Sequence, residues 1–401
     1  MTIWILNHHA LTPQMSGGTR HYDFARELIK RGHKVAIISS SFHYSKYIEM
    51  KEYEEKEHIC EYVDGIEWVW LKTPPYRGNG MARVKNMLSY TRKALKIIPT
   101  LDLSKPDIII GSSVHLFAVY AAYKLSRKYK IPFVMEVRDL WPQTLIDMGI
   151  SKRHPFIIIL GILERFLYRK ADKIISNLPY AYEYISDYAP PQKFEWISNG
   201  VDLRNISYKE KSESSPFVVS YTGAMGVANN LGVLVEAADK LKEDKNIIFR
   251  IIGDGVEKQK LKEMVQAKGL ENITIEDPVA KSQIPDILAV SDILYFNLKD
   301  SPVFRYGISS NKLFDYMAAG RVVIFSTNAA NNPIKEANGG FTIAPDEVDE
   351  LVATIKQIIS MTHEQRTQMG RRNREYCEKF YSTKVLVDKL EKVLQDEVSN
   401  A

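Results

Sequence analysis

The chain has 401 residues, 45% hydrophobic and 26% charged, with 54 Lys and Arg against 49 Asp and Glu and a formal net charge of +5. At roughly 150 residues per domain this length suggests two or three domains, and the ordinary composition excludes a collagen-like, disordered or low-complexity chain. So mild a charge does not itself imply nucleic-acid binding, but 28 basic and 20 acidic residues fall in 1–200, a balance of +8 that leaves −3 for the remainder, so an anionic surface would meet the first half.

Taken in chain order, Ile3–Leu6 reads as a first strand, without the basic flank of a signal peptide. Arg20–Arg31 is an amphipathic helix stopped by Gly32, and Val35–Ser39 is the next strand. Asp107–Ile110 reads as a buried strand, Leu116–Tyr129 as a helix and Phe133–Val137 as a strand. The pattern restarts with a strand over Val218–Thr222, a helix over roughly Leu231–Leu241 and a strand over Ile247–Ile252. Alternation of this kind predicts an α/β protein of two Rossmann-like, doubly wound domains, 1–203 and 204–380, facing across a cleft. Asn205–Pro216 reads as a linker, and a terminal helix from about Tyr381 to Val398 completes one domain or the other, the first being the assignment for 381–401. Cys60 and Cys377 are too few for a disulfide framework or a zinc site, which fits a reducing cytoplasm. No stretch of about 18 apolar residues occurs to span a membrane.

The strongest local chemistry runs from Gly307 to Gly320. Ser309 or Ser310 is an N-cap, good helix formers follow, and Gly320 is the stop. Lys312 falls in the first turn, where a cation opposes the helix dipole unless an anion is bound beside it. Asp315, one turn later, is placed to accept hydrogen bonds from a ribose diol. Glycine turns follow a strand at Gly17-Gly18, at Gly223-Ala224-Met225-Gly226 and at Gly253-Asp254-Gly255, each allowing close approach of backbone to a ligand. Neither a Walker pattern nor Gly-x-Gly-x-x-Gly after the first strand is present, which argues against an NAD enzyme.

The segment Glu136–Pro142 followed by Gln143-Thr144 resembles a signature of bacterial retaining glycosyltransferases of family four, nearest the N-acetyl-L-fucosamine and colanic-acid type. The likeness extends to Pro13–Gly18, Arg26–Leu28 with Arg31–His33, Ser198–Asp202, Tyr221–Gly223, Ile252–Gly255, Ser291-Asp292 and Lys312–Gly320. It implies the GT-B fold and a UDP-sugar donor held mainly by the C-terminal domain, with contacts at Gly17, Gly18, Gly223, Gly253, Asp254, Val279, Ser309, Ser310, Asn311, Leu313 and Asp315. Two positions depart from the family pattern. Gly307 stands where a donor-contacting Glu is usual, with Asp315 in place of the second Glu. Gly226–Leu231 lacks the usual Arg and Lys, so Lys312 and Arg305 are the expected substitutes at the pyrophosphate.

Catalysis of such a transfer needs positive charge and dipoles at the departing phosphate more than a nucleophile. Lys312 and Arg305 are assigned there, with Asp139 and His115 as further candidates and Arg20, His21 and Arg138 on the acceptor side. No Asp-x-Asp occurs, so no metal cofactor is expected. The implied acceptor is an undecaprenyl-diphosphate-linked saccharide of O-antigen or capsule synthesis, met at the inner face of the plasma membrane; no nucleic acid is expected. Two segments suit an anionic bilayer surface: Arg83–Ile98, with Val84, Met87, Leu88, Leu95 and Ile98 at helical spacing among five cations, and the apolar run Pro155–Leu163 between Lys152, Arg153 and Arg165, Arg169, Lys170. The competing readings are a non-hydrolysing nucleotide-sugar epimerase and a silent partner subunit that binds nucleotide sugar.

Overall fold

The computed structural model describes residues 1–15, 17–212 and 216–401; Ser16 of the Pro13–Gly18 motif and residues 213–215 of the expected linker lie outside the described residues. The chain divides into two units, Met1–Ser198 with Thr383–Ala401, and Asn199–Ser382.

In the first unit the strands of the main sheet are β1 (Thr2–Leu6), β2 (Lys34–Ser39), β3 (His58–Val63), β4 (Ile66–Leu71), β5 (Ile108–Ser112), β6 (Phe133–Val137), β7 (Lys173–Ser176) and β8 (Phe194–Trp196), beside a short separate pair, Phe42–His43 with Ile48–Glu49. They make one eight-stranded sheet in the order β8-β7-β6-β5-β1-β2-β4-β3. Its neighbours are parallel except β3 and β4, a hairpin closed by Asp64 and Gly65, both at positive φ as a two-residue I′-type turn requires. The central runs Ile3–Leu6 and Ile108–Ile110 are apolar without alternation because helices cover both faces. Those helices include α1 (Arg20–Lys30), α2 (Met81–Ile97), α3 (Leu116–Tyr129) and α4 (Pro155–Lys170). Phe24, Ala25 and Leu28 of α1 share a core with Leu386, Val387, Leu390, Val393 and Leu394 of the terminal helix, Thr383–Ser399. Arg31 seals that seam with 2.7 Å ion pairs to Asp388 and Glu391.

The second unit holds β9 (Phe217–Ala224), β10 (Ile247–Asp254), β11 (Ile273–Glu276), β12 (Ile293–Asn297), β13 (Val322–Ser326) and β14 (Gly340–Ile343). They form an all-parallel six-stranded sheet in the order β11-β10-β9-β12-β13-β14. Helices α5 (Gly232–Lys240), α6 (Lys258–Ala267) and α7 (Asn311–Ala318) are among those that cover it. The described part of the expected linker is strapped to this unit: Arg374 donates to the Ile206 carbonyl at 2.6 Å, Arg321 to that of Lys209 at 2.7 Å, and Lys211 pairs with Asp292 at 2.7 Å. Two of these contacts use backbone carbonyls of the segment and one a side chain.

Candidate active site

The carboxyl ends of β9, β10 and β12 and the start of α7 converge in the second unit. Register pairs Gly223 of β9 with Gly253 of β10. Gly253 has φ +151°, and a Cβ there would lie 1.9 Å from the Gly223 carbonyl oxygen. Gly223 has φ +131°, and its Cβ would lie 2.6 Å from Cε of Lys312. Both glycines are therefore required, one by its neighbouring strand and the other by the lysine crossing it.

Lys312 leaves the first turn of α7 and runs back over β9. Its ammonium stands 4.1 Å from the Tyr221 ring centroid and 4.8 Å from that of Phe296, and it donates to the Tyr221 hydroxyl. That hydroxyl donates onward to the Ala224 carbonyl at 2.5 Å. Burial pushes the lysine from 10.5 down to about 7. An ammonium in an aromatic nest, with a depressed pKa, is suited to an anion that replaces its lost hydration.

Ser310, not Ser309, occupies the N-cap of α7, and its hydroxyl makes no capping hydrogen bond. Such an uncapped amide end of a helix suits an anion. Ser309 instead accepts at Oγ from the Asn199 amide, 2.7 Å, while the Asn199 side chain donates to its carbonyl, 2.6 Å. Asn331 brackets Ile308 through both its backbone groups. Gly307, at φ +91°, turns the chain into the helix in a conformation a Glu would adopt only under strain. Asn311 and Asp315 are half-buried on α7, and Leu313 is in the core. Arg305 is exposed, with its guanidinium over the Tyr306 ring at 4.8 Å. Asp254 accepts from the Gly255 amide at 2.9 Å, and Val279 lies in the segment after β11.

In the first unit, Arg20 and His21 are turned inward. Glu136, only 2% exposed, accepts from Arg20 Nε at 2.8 Å and His21 Nε2 at 2.6 Å, and Arg20 also donates to the carbonyls of Ile197 and Ser198. Burial opposes ionisation of Glu136, but His21 and Arg20 outweigh it and hold the carboxyl well below the usual range. Arg20 and His21 thus fasten α1 to β6 through Glu136. Asp139 lies just beyond β6, where loss of hydration raises its carboxyl against the pull of Arg138. Ser113 fixes this turn by accepting from the Arg138 amide at 2.9 Å. His115 is the N-cap of α3: its Nδ1 accepts from the Ala118 amide at 3.1 Å and its Nε2 meets His8 Nδ1 at 2.7 Å. With both nitrogens engaged, it positions His8. Gly17, at φ +137°, packs where a Cβ would meet Leu11, and Gly18 is exposed.

The apolar stripe of α2 is largely internal, since Met87 and Ile98 belong to the core, although Leu88 is 46% exposed. The second segment differs. Ile158, Ile159 and Ile162 of α4 are 50%, 55% and 58% exposed, beside Met148 at 69% and the exposed Lys152, Arg153, Arg165, Arg169 and Lys170.

Residues 16–205 match the profile described as Glycosyltransferase Family 4, and residues 216–361 match Glycosyl transferases group 1. The chain belongs to the family-four glycosyltransferases. The glycosyltransferase is 22% identical over 372 residues, 87% of this chain and 90% of the relative, to the colanic acid biosynthesis glycosyl transferase WcaI of Escherichia coli (strain K12). Its fold is GT-B, and two solved structures illustrate the likeness. The sucrose-phosphate synthase of Thermosynechococcus elongatus matches with a TM-score of 0.77 at 13% identity, covering 100% of both chains. Anabaena HepE, solved with UDP and glucose, matches with a TM-score of 0.67 at 14% identity, covering 98% of this chain and 99% of that one.

Several residues of this glycosyltransferase's candidate sites escaped the sequence reading. Tyr221 and Phe296 lie on separate strands, and only pairing of β9 with β12 brings them under Lys312. His8 and His9 stack at the end of β1, and the charge of Arg83, at the start of α2, acts on both rings. The dipeptide His8-His9 at a strand end is the one local signal that pointed to them.

Proposed function

We propose that the protein transfers a sugar, with retention of anomeric configuration, from a UDP-sugar to a lipid-linked saccharide in surface polysaccharide synthesis of the O-antigen or capsule type. The carrying observation is the Lys312 nest: a buried ammonium over two aromatic rings, beside a glycine-lined strand end and an uncapped helix start. HepE with UDP supports a uridine nucleotide, and the named role of WcaI supports a polysaccharide product.

In this reading the departing β-phosphate carries the developing charge. Lys312 and the first amides of α7 stabilise it, with Arg305 as a second cation, and stabilisation of this kind supplies most of the rate. Asp315 accepts from the ribose, and Gly223 and Gly253 let the backbone approach the diphosphate. Gly307 leaves the donor sugar without the carboxylate common in the family, which favours a deoxy or N-acetylated amino sugar. The acceptor binds the first unit, where Asp139, with its raised carboxyl beside Arg138, orients the attacking hydroxyl. The phosphate oxygen takes the acceptor proton on the same face, so no divalent ion is required, and activity in excess chelator tests that. The face Ile158-Ile159-Ile162 with its flanking cations seats the enzyme on anionic lipid. Among the described residues no helix is long and apolar enough to cross a membrane.

The test is a set of UDP-, GDP- and dTDP-sugars labelled in the sugar, offered with an undecaprenyl-diphosphate saccharide in anionic vesicles. Label passing to the lipid phase from a UDP-sugar alone is expected. Label that stays in the nucleotide fraction, or returns as an epimeric UDP-sugar without acceptor, contradicts the proposal.

A further inference from the structure

The end of β1 holds a second group of buried polar side chains that the donor chemistry leaves unused. Asn7 shapes it: its Oδ1 accepts from the His9 amide at 2.9 Å, and its Nδ2 donates to His21 Nδ1 at 2.9 Å. His21 in turn donates from Nε2 to Glu136. The Arg20–His21–Glu136 network therefore holds the turn that carries His8 and His9.

The hydrogen bonds fix the ring tautomers. His115 Nδ1 accepts from a backbone N–H, so the proton of the neutral ring is on Nε2. That Nε2–H donates to His8 Nδ1 at 2.7 Å, so His8 carries its own proton on Nε2. Among the described residues His8 Nε2 is buried and has no partner. The same is true of both ring nitrogens of His9 and of Nε of Arg83. Ring stacking holds the donors in place: His8 lies between His9 and Tyr90, with centroids 4.3 Å away on each side. Arg83 keeps one hydrogen bond, from Nη1 to Asn79 at 2.6 Å.

The surroundings carry one sign. Burial first, then His9, His115 and Arg83, lower His8; burial, then Arg83 and His43, lower His9; burial, then His9 and Arg83, lower His115. Among the described residues no carboxylate acts on these rings. A buried donor without a partner is costly, and a ligand that completes it is one reason for a protein to keep it. The neutral His9 ring offers one N–H and one acceptor nitrogen, so the unpartnered donors are His8 Nε2–H, one His9 N–H and Arg83 Nε–H. A ligand that answers three donors, one of them a guanidinium, brings acceptor oxygens and negative charge.

We propose that His8, His9 and Arg83 form an anion subsite of the first unit, separate from Lys312, that takes a phosphate group of the acceptor. Its assignment to the acceptor rests on the transferase reading above; its binding of phosphate does not. The phosphate is either that of a lipid diphosphate or free in solution, and the test separates these sources.

The experiment uses the full chain with ¹⁵N-labelled histidine rings, titrated at constant ionic strength with inorganic phosphate and, separately, with farnesyl diphosphate. His8 and His9 signals are expected to shift saturably, with His8 protonated on Nε2. Arg83→Gln and His9→Phe, which keeps the stack, are expected to weaken the effect at least tenfold, and Lys312→Met to leave it unchanged. Tighter binding of farnesyl diphosphate assigns a lipid diphosphate; equal binding assigns free phosphate. No shift with either probe, an undiminished shift in both Arg83→Gln and His9→Phe, or a His8 proton on Nδ1 overturns the subsite. A saturable shift in a protein that transfers no sugar keeps the subsite and rejects the transferase reading.

Discussion

Replacing Lys312 by methionine separates two effects that reside in one side chain. Burial lowers the ammonium from 10.5 to about 7. At about 1.36 kcal/mol per pKa unit, that fall corresponds to roughly 5 kcal/mol, an upper bound on the cost of holding the charge there. The unfolded chain binds more protons than the folded one between pH 7 and 10.5, so this group's contribution to stability is full above 10.5 and is lost as pH falls toward 7. Methionine has similar length and no charge, and fills the nest over Tyr221 and Phe296. Lys312→Met is therefore expected to melt higher than the parent at pH 7, since a gain of even about 1 kcal/mol raises Tm by about 2–4 °C for a unit of 150–250 residues. The advantage should fade as pH approaches 10.5. Activity moves the other way: losing one group that stabilises the developing oxyanion costs about 10²–10³ in kcat. Thermal melts across this pH range, paired with single-turnover transfer, read both effects. A methionine variant that melts lower at pH 7, or one that keeps parental turnover, refutes this account of the lysine.

Three further predictions test other parts of the account. Gly223→Ala puts a Cβ 2.6 Å from Lys312 Cε at a φ of +131°, so it should cost about 1–3 kcal/mol and reduce UDP affinity in calorimetry; parental stability and affinity would contradict the packing. Glu164 accepts from Tyr168 and Tyr184, and burial raises its carboxyl to about 8, so this group's contribution is full below its unfolded value near 4.5 and lost as pH rises through 8. Glu164→Gln should flatten urea stability across that window, and an unchanged pH profile would refute the assignment. Ile158→Asp with Ile162→Asp should abolish flotation with anionic vesicles yet alter stability by no more than about 0.5 kcal/mol per site, because both side chains are half exposed; retained flotation would remove the membrane face.

Much of the fold was legible because helical and strand periods alternate and glycines mark strand ends. Leu116–Tyr129 and Phe133–Val137 coincide with their expected bounds, since buried apolar residues and clear stops frame both. The hairpin of β3 and β4 went unread although Asp64-Gly65 signals its turn, because its strands interrupt the βα rhythm that organised the reading. The burial of Arg20 and His21 was not legible for a different reason: a polar side chain after a glycine turn looks accessible until its buried partner, 116 and 115 residues away, is known. Lys312 was legible from its unfavourable place in a first helical turn. Its aromatic nest was not, because Tyr221 and Phe296 meet it only through the sheet.

The most direct test of the central claim is a crystal structure of the full chain with UDP. The account predicts the diphosphate at the carboxyl end of β9, with its β-phosphate in hydrogen-bond reach of Lys312 Nζ and the first amides of α7. A diphosphate bound elsewhere, with Lys312 still closed on Tyr221, would contradict it.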